Sequence, residues 1–290
     1  MRKILTLIIL VLSGLTLATA QESGNRTYGT ERRKPQVNTG VLTATVNNKE
    51  VYFIEANILM NTKPDAFQAV FGLVQEGATA EESNNKLTAQ VAAFTRDLEK
   101  LGIRQNDTFV DFIAQNKIYD FTTNGTAITE KFTGFETKKN INIRYKERET
   151  LDKILSAAVK ASIFDLIEVK YIVSDMSGVH AKLFDEAVKI IKQKEASYAN
   201  AFGIKLSASN LANEKYDTFY PGELYDNYQA FESGTTYSDY NRTVIRQRKT
   251  RTFFYQPLDA NNFDTVINQI GIEPVAQFTL YLRMQYDLKK

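Results

Sequence analysis

Residues 65–75 read DAFQAVFGLVQ and residues 87–102 read LTAQVAAFTRDLEKLG, and the change of period between the two stretches decides the fold. In the first, Phe67, Ala69, Phe71 and Leu73 fall on one face while Val70 and Val74 fall on the other, the pattern of a central strand covered on both sides. In the second, Leu87, Val91, Phe94, Leu98 and Leu101 recur at spacings of four, three, four and three, which predicts an amphipathic helix stopped by Gly102.

Working outward, residues 107–120 and 131–146 are again strand-like, with Asn124-Gly125 turning the chain between them and Ile141, Ile143 and Tyr145 alternating with polar partners. Leu151, Ile154, Leu155 and Ala158 make a second helical stripe. Ile167, Val169, Tyr171 and Val173 make a further strand, ending at Ser174-Asp175. The order from 65 to 175 is β-α-β-β-α-β, which predicts an α+β fold of the split βαβ, ferredoxin-like kind, with helices on one face of an antiparallel sheet and one core. A third helix is expected over about 179–202, closed by Gly203. Upstream, 41–46 and 51–54 flank Asn47-Asn48 as a hairpin would. Residues 206–241 lose the period and gather tyrosines, reading as an insert. C-terminal strands are expected within about 242–288, at 242–255 and 275–286. The last alternates Ala276, Phe278, Leu280, Leu282, Met284 and Tyr286 with polar residues, Tyr281 apart.

The composition, 43% apolar and 24% charged over 290 residues, excludes wholesale disorder and predicts one compact domain or at most two. Cys is absent and His occurs once, which removes thiol nucleophiles, disulfides, Cys-based zinc sites and any site needing two imidazoles. No Gly-rich phosphate loop, nucleophile elbow or metal-spaced cluster is present, so no cofactor is expected. Residues 1–20 have a basic start at Arg2-Lys3, an apolar run broken by Ser13-Gly14, and a small-x-small end at Ala18-Thr19-Ala20. That is the pattern of a secretory signal peptide; the run is short for a bilayer crossing of about 20 residues. Residues 21–40 read as a flexible leader and 41–290 as the domain, with no transmembrane segment in the mature chain. Removing Arg2 and Lys3 from 36 basic residues leaves 34 basic against 34 acidic ones, a balance with no global pull toward nucleic acid or anionic membrane. Export without cysteine fits a bacterial envelope, in the periplasm or at the outer membrane.

Chemistry-bearing residues are few. His180 near the third helix start and Asp175 just before it suggest a His-carboxylate pair, against a capping role for Asp175 and a structural one for the histidine. Tyr216, Tyr220, Tyr225, Tyr228, Tyr237 and Tyr240, interleaved with acids including Glu223 and Asp226, suggest a ligand or partner surface for a glycan or protein. Glycosidase chemistry needs two carboxylates at a fixed separation, which loop spacing does not establish. Arg242, Arg246, Arg248, Lys249 and Arg251 form an acid-free run with Phe253, Phe254 and Tyr255 behind it. Nucleic-acid binding is one reading, contradicted by export and zero net charge. A charge-protected edge strand, with Arg246 and Arg248 on one face, explains the same pattern, as does pairing with the acidic segment of a neighbouring subunit.

Several landmarks resemble the SIMPL-domain family of exported bacterial envelope proteins, of the outer-membrane immunogenic protein type. They are Pro64-Asp65, Thr79-Ala80-Glu81, Leu101-Gly102-Ile103, Gly134-Phe135, Leu151 to Leu155, Ser174-Asp175, the Lys192, Lys194, Ala199, Ala201, Gly203 pattern, and the alternating strand at 275–286. The resemblance covers roughly 51–205 plus the last strand. Asn57, Ser83 and Glu195 depart from it, and the Tyr-rich segment has no counterpart in it. It implies an exported protein of undefined biochemical role, linked to envelope or oxidative stress, some members forming ring-like or channel-like oligomers, and it supplies no catalytic residues. The expectation is a non-enzymatic oligomeric scaffold or stress-associated factor; the alternative is a glycan- or small-ligand-binding protein using the Tyr-rich insert.

Overall fold

The computed structural model describes residues 42–46, 49–228, 231–236, 243–248, 252–269 and 272–288. The expected signal peptide, the leader, and Tyr237, Tyr240, Arg242, Lys249 and Arg251 lie outside the described residues.

The chain is α+β and divides into two compact units. The larger one opens with β1 (Leu42–Val46) and β2 (Lys49–Thr62), an antiparallel hairpin pairing Val46 with Lys49 and Leu42 with Phe53. After Pro64 come β3 (Ala66–Gly77), α1 (Ala80–Lys100), β4 (Thr108–Asn124), β5 (Ala127–Tyr145), α2 (Thr150–Lys160), β6 (Asp165–Ile172) and α3 (Met176–Phe202). The spatial order of the first sheet is β4-β5-β3-β6, antiparallel throughout, so β3 is central. Its odd residues Phe67, Ala69, Phe71 and Leu73 join Ile141 and Ile143 of β5 under Leu87, Phe94 and Leu98 of α1 and Ile154 and Ala158 of α2. Phe71 meets Phe94 edge-on, ring centres 5.7 Å apart, the geometry that the ring quadrupoles favour.

One core was expected, and a second is present. β2 continues through residues 55–62, well past the expected short strand, because Ile54, Ala56, Ile58 and Met60 alternate with the buried polar Glu55, Asn57 and Asn61. It pairs antiparallel with β13 (Ala276–Leu288), which pairs in turn with β7 (Leu206–Phe219), while β12 (Thr265–Ile267) lies parallel beside β2. Val179, Leu183, Ala187 and Ile191, one turn apart along α3, pack on Ala276, Phe278, Leu280 and Leu282. Gly203, at φ +64°, closes the helix as a left-handed cap. Residues 206–219, expected to begin an insert, are therefore a strand of this second sheet. The polar face of that sheet is bonded to the segment 257–268: Asp264 Oδ2 accepts from the Asn57 backbone N–H at 2.8 Å, and Gln277 Oε1 accepts from the Leu258 N–H at 2.7 Å.

The smaller unit holds β8 (Tyr225–Tyr228), β9 (Phe231–Thr236), β10 (Thr243–Arg248) and β11 (Thr252–Tyr255). β8 pairs with β11 and β9 with β10, so residues 242–255, expected as one edge strand, supply two strands, each paired to its own partner. No helix among the described residues is long and apolar enough to cross a membrane.

Candidate functional site

Three landmarks far apart in sequence meet at one end of the first sheet. Asp65 precedes β3, Leu101 to Ile103 follow α1, and Ser174 follows β6. Ser174 donates to Asp65 twice, its backbone N–H to Oδ2 and its hydroxyl to Oδ1, each at 2.8 Å. The backbone donor, then the hydroxyl, hold the Asp65 carboxyl below the ordinary aspartate range. Together with Arg104, Asp107, Arg144, Lys146 and Glu147 these residues line a cleft of about 710 Å³. Its charges balance, and Asp107 already engages Arg104 at 3.5 Å. Asp65, with both oxygens occupied, clasps the start of β3 to the end of β6.

The other landmarks are also architectural. Thr79 caps α1, its Oγ1 accepting from the Glu82 N–H at 3.1 Å while a Glu82 oxygen accepts from the Ala78 N–H at 2.9 Å. Ser83 and Thr137, both fully buried, join α1 to β5 through a 2.7 Å hydroxyl contact. A second groove, about 480 Å³, runs between Thr88, Val91 and Thr95 of α1 and Phe109 and Val110 of β4.

β4 is the feature that sequence reading passed over. It is the edge of the first sheet, 17 residues long, and among the described residues its outer side has no strand partner. Phe109, Val110, Phe112, Ile113, Tyr119 and Phe121 along it are all exposed. The signal was present in the sequence, since 108–113 reads TFVDFI with apolar residues on both faces; it was indistinguishable from that of a covered strand.

The sequence-predicted residues do not form one array. Tyr216 and Tyr220 pack against the second core, Tyr216 stacked on Phe278 at 6.2 Å. Burial raises the Tyr216 hydroxyl above the ordinary tyrosine range. Tyr225 and Tyr228 belong to the other unit, on β8, where Tyr225 sits opposite Tyr255 with ring centres 5.9 Å apart. Arg246 and Arg248 lie on β10, opposite Ser233 and Phe231. His180 is paired, but with Glu214 of β7, Nε2 to Oε1 at 3.0 Å, and not with Asp175. Asp175 caps α3, accepting from the Gly178 N–H at 2.9 Å. Asp226 is buried, accepting from the Asn227 N–H, and Glu223 accepts from the Tyr220 N–H at 3.4 Å.

No curated protein matches the chain. The model of the SIMPL family, described as a protein of unknown function (DUF541), matches residues 59–242. The match runs through the Tyr-rich segment, which the sequence comparison had left without a counterpart, and ends before β10 and the last strand. The chain therefore belongs to the SIMPL family, whose function is not defined.

Proposed function

We propose that this chain is a non-enzymatic, exported envelope protein that acts as an oligomeric scaffold or stress-associated factor. Its first sheet is read as the ferredoxin-like, split βαβ arrangement, carrying a second sheet and helix as a family-specific addition. The observation that supports assembly is the edge strand β4. Phe109 and Phe112 are 64% and 58% exposed on a strand whose outer side has no strand partner among the described residues. An open edge is a template for a further strand, and the charges along this one, Asp111, Lys117 and Asp120, leave Phe109, Phe112 and Ile113 exposed beside them. Light scattering during size separation tests the reading: a discrete assembly is expected, broken by Phe112→Lys, and a monomer at every concentration overturns it. Cell fractionation tests export, with a periplasmic or outer-membrane chain beginning at Gln21 expected.

The alternative, glycan or small-ligand binding by the Tyr-rich segment, is supported by Tyr225 and Tyr255, neighbouring rings of which Tyr225 is partly open to solvent. Binding to an envelope glycan that Tyr225→Ala abolishes, in a chain that stays monomeric, selects this alternative.

A further inference from the structure

The β4–β5 hairpin outruns the sheet that anchors it. β5 pairs with β3 only as far as Phe135 opposite Gly77, so residues 118–134 form a two-stranded ribbon held by its own ladder. Cross-strand partners share a face. Tyr119 with Phe132, Phe121 with Glu130, and Thr123 with Ile128 lie on one side; Asp120 with Lys131 and Thr122 with Thr129 lie on the other. From Tyr119 to Phe132 the large apolar side chains, Tyr119, Phe121, Ile128 and Phe132, therefore share one face. Tyr119 and Phe132 meet edge-on at 5.8 Å, while Phe121 and Ile128 are 64% and 70% exposed.

The charge pattern is transverse. On β4 the charged residues stop at Asp120 and on β5 one rung further on, at Glu130 opposite Phe121, and nothing from 121 to 129 is charged. From Phe121 to Asn124 the strand rises about 10 Å, matching the depth to which an amphipathic element lies in the headgroup and acyl boundary. We propose that this ribbon tip seats in the surface of a lipid bilayer. A polarity border that falls within one residue pair of the same height on both strands fits a planar interface, whereas a protein groove would match one face along its whole length. The outer edges of both ribbon strands carry backbone groups without strand partners among the described residues, which confines the tip to the hydrated interface and keeps it out of the hydrocarbon. The charges at the base, Lys117, Asp120, Glu130 and Lys131, cancel, so apolar contact drives the binding and anionic lipid is not required.

The chain has no tryptophan, so Phe121→Trp provides a single reporter. With phosphatidylcholine vesicles its emission is expected to shift to the blue, equally at low and high salt. Phe164→Trp, on a residue 76% exposed outside the ribbon, is expected to stay unshifted. The double variant Phe121→Ser/Ile128→Ser, with unchanged circular dichroism, is expected to lower the vesicle-bound fraction at least about tenfold. An unshifted Phe121→Trp, a shift that needs anionic lipid and vanishes with salt, or an equal shift at Phe164→Trp overturns the proposal. A lipid-free shift that grows with protein concentration overturns it too, assigning the tip to a second copy of the chain. The edge-strand assembly is read separately, by light scattering of Phe112→Lys.

Discussion

A Cβ placed on Gly134 would lie 2.5 Å from the carbonyl oxygen of Gly77. The contact falls where β5 leaves β3, since Phe135 opposite Gly77 is their last pair, and Gly134 holds φ at +156° there. Backbone against backbone leaves no side chain to move aside. Gly134→Ala is expected to cost about 1–3 kcal/mol by forcing the two strands apart. Gly125→Ala, at the ribbon turn with φ +64° and open space around it, is expected to cost only about 1 kcal/mol, both read from urea unfolding.

The hydroxyl chain across α1 and β5 has a direction. Gln115 donates to Thr137, Ser83 donates to the Ala80 carbonyl, and so Thr137 donates to Ser83. Ser83→Ala strands the buried Thr137 hydroxyl and is expected to cost about 1–2 kcal/mol. Thr137→Val added to it should cost less than the sum of the single changes, which a double-mutant cycle measures.

Glu55 is 2% exposed, and Arg283 grips one of its oxygens through both Nε at 2.6 Å and Nη2 at 2.5 Å. Arg283→Met leaves a buried carboxylate unpaired and is expected to cost about 3–5 kcal/mol. Glu55→Leu/Arg283→Met should recover most of that loss, as read from chemical denaturation.

The Asp65 carboxyl is held below its ordinary range by the Ser174 backbone N–H and then its hydroxyl, so its clasp is fully present above the unfolded-state value near about 3.9 and fades as pH falls through the lower folded value. Asp65→Asn should therefore lower Tm at neutral pH, with the gap to the unaltered chain closing as the pH falls below about 4. A gap that stays constant into acid contradicts this.

Burial pushes the Tyr145 hydroxyl up to about 12, and its ring stacks on Phe67 at 5.4 Å. Its folded value exceeds the unfolded one, so the neutral form is preferred in the fold and stability falls as pH rises above about 10. Tyr145→Phe is expected to flatten that alkaline loss of Tm.

The first sheet and its helices were legible because each is short-range: the alternation at Phe67 to Leu73 and the stripe at Leu87 to Leu98 record which faces are dry. β7 was not legible, because Lys215 and Asp217 alternate with Tyr216 on a sheet whose polar face is itself covered, and buried polar residues imitate a loop. Tyr216, read as part of a ligand surface, is instead packed on Phe278. His180 found Glu214, 34 residues away, in place of its near neighbour Asp175, because a side chain on α3 faces whichever strand packs under it.

By itself the sequence determined the α+β class, the order of elements around β3, the Gly203 helix stop and the family, since periodicity, capping residues and spaced landmarks are all local in the chain. Only the tertiary structure decided that there are two cores, that β4 is an open edge, and that a ribbon with an uncharged tip projects beyond the first sheet. Strand neighbours are chosen by contacts between residues distant along the chain, and the same apolar pattern serves a strand whether its outer side is paired or open.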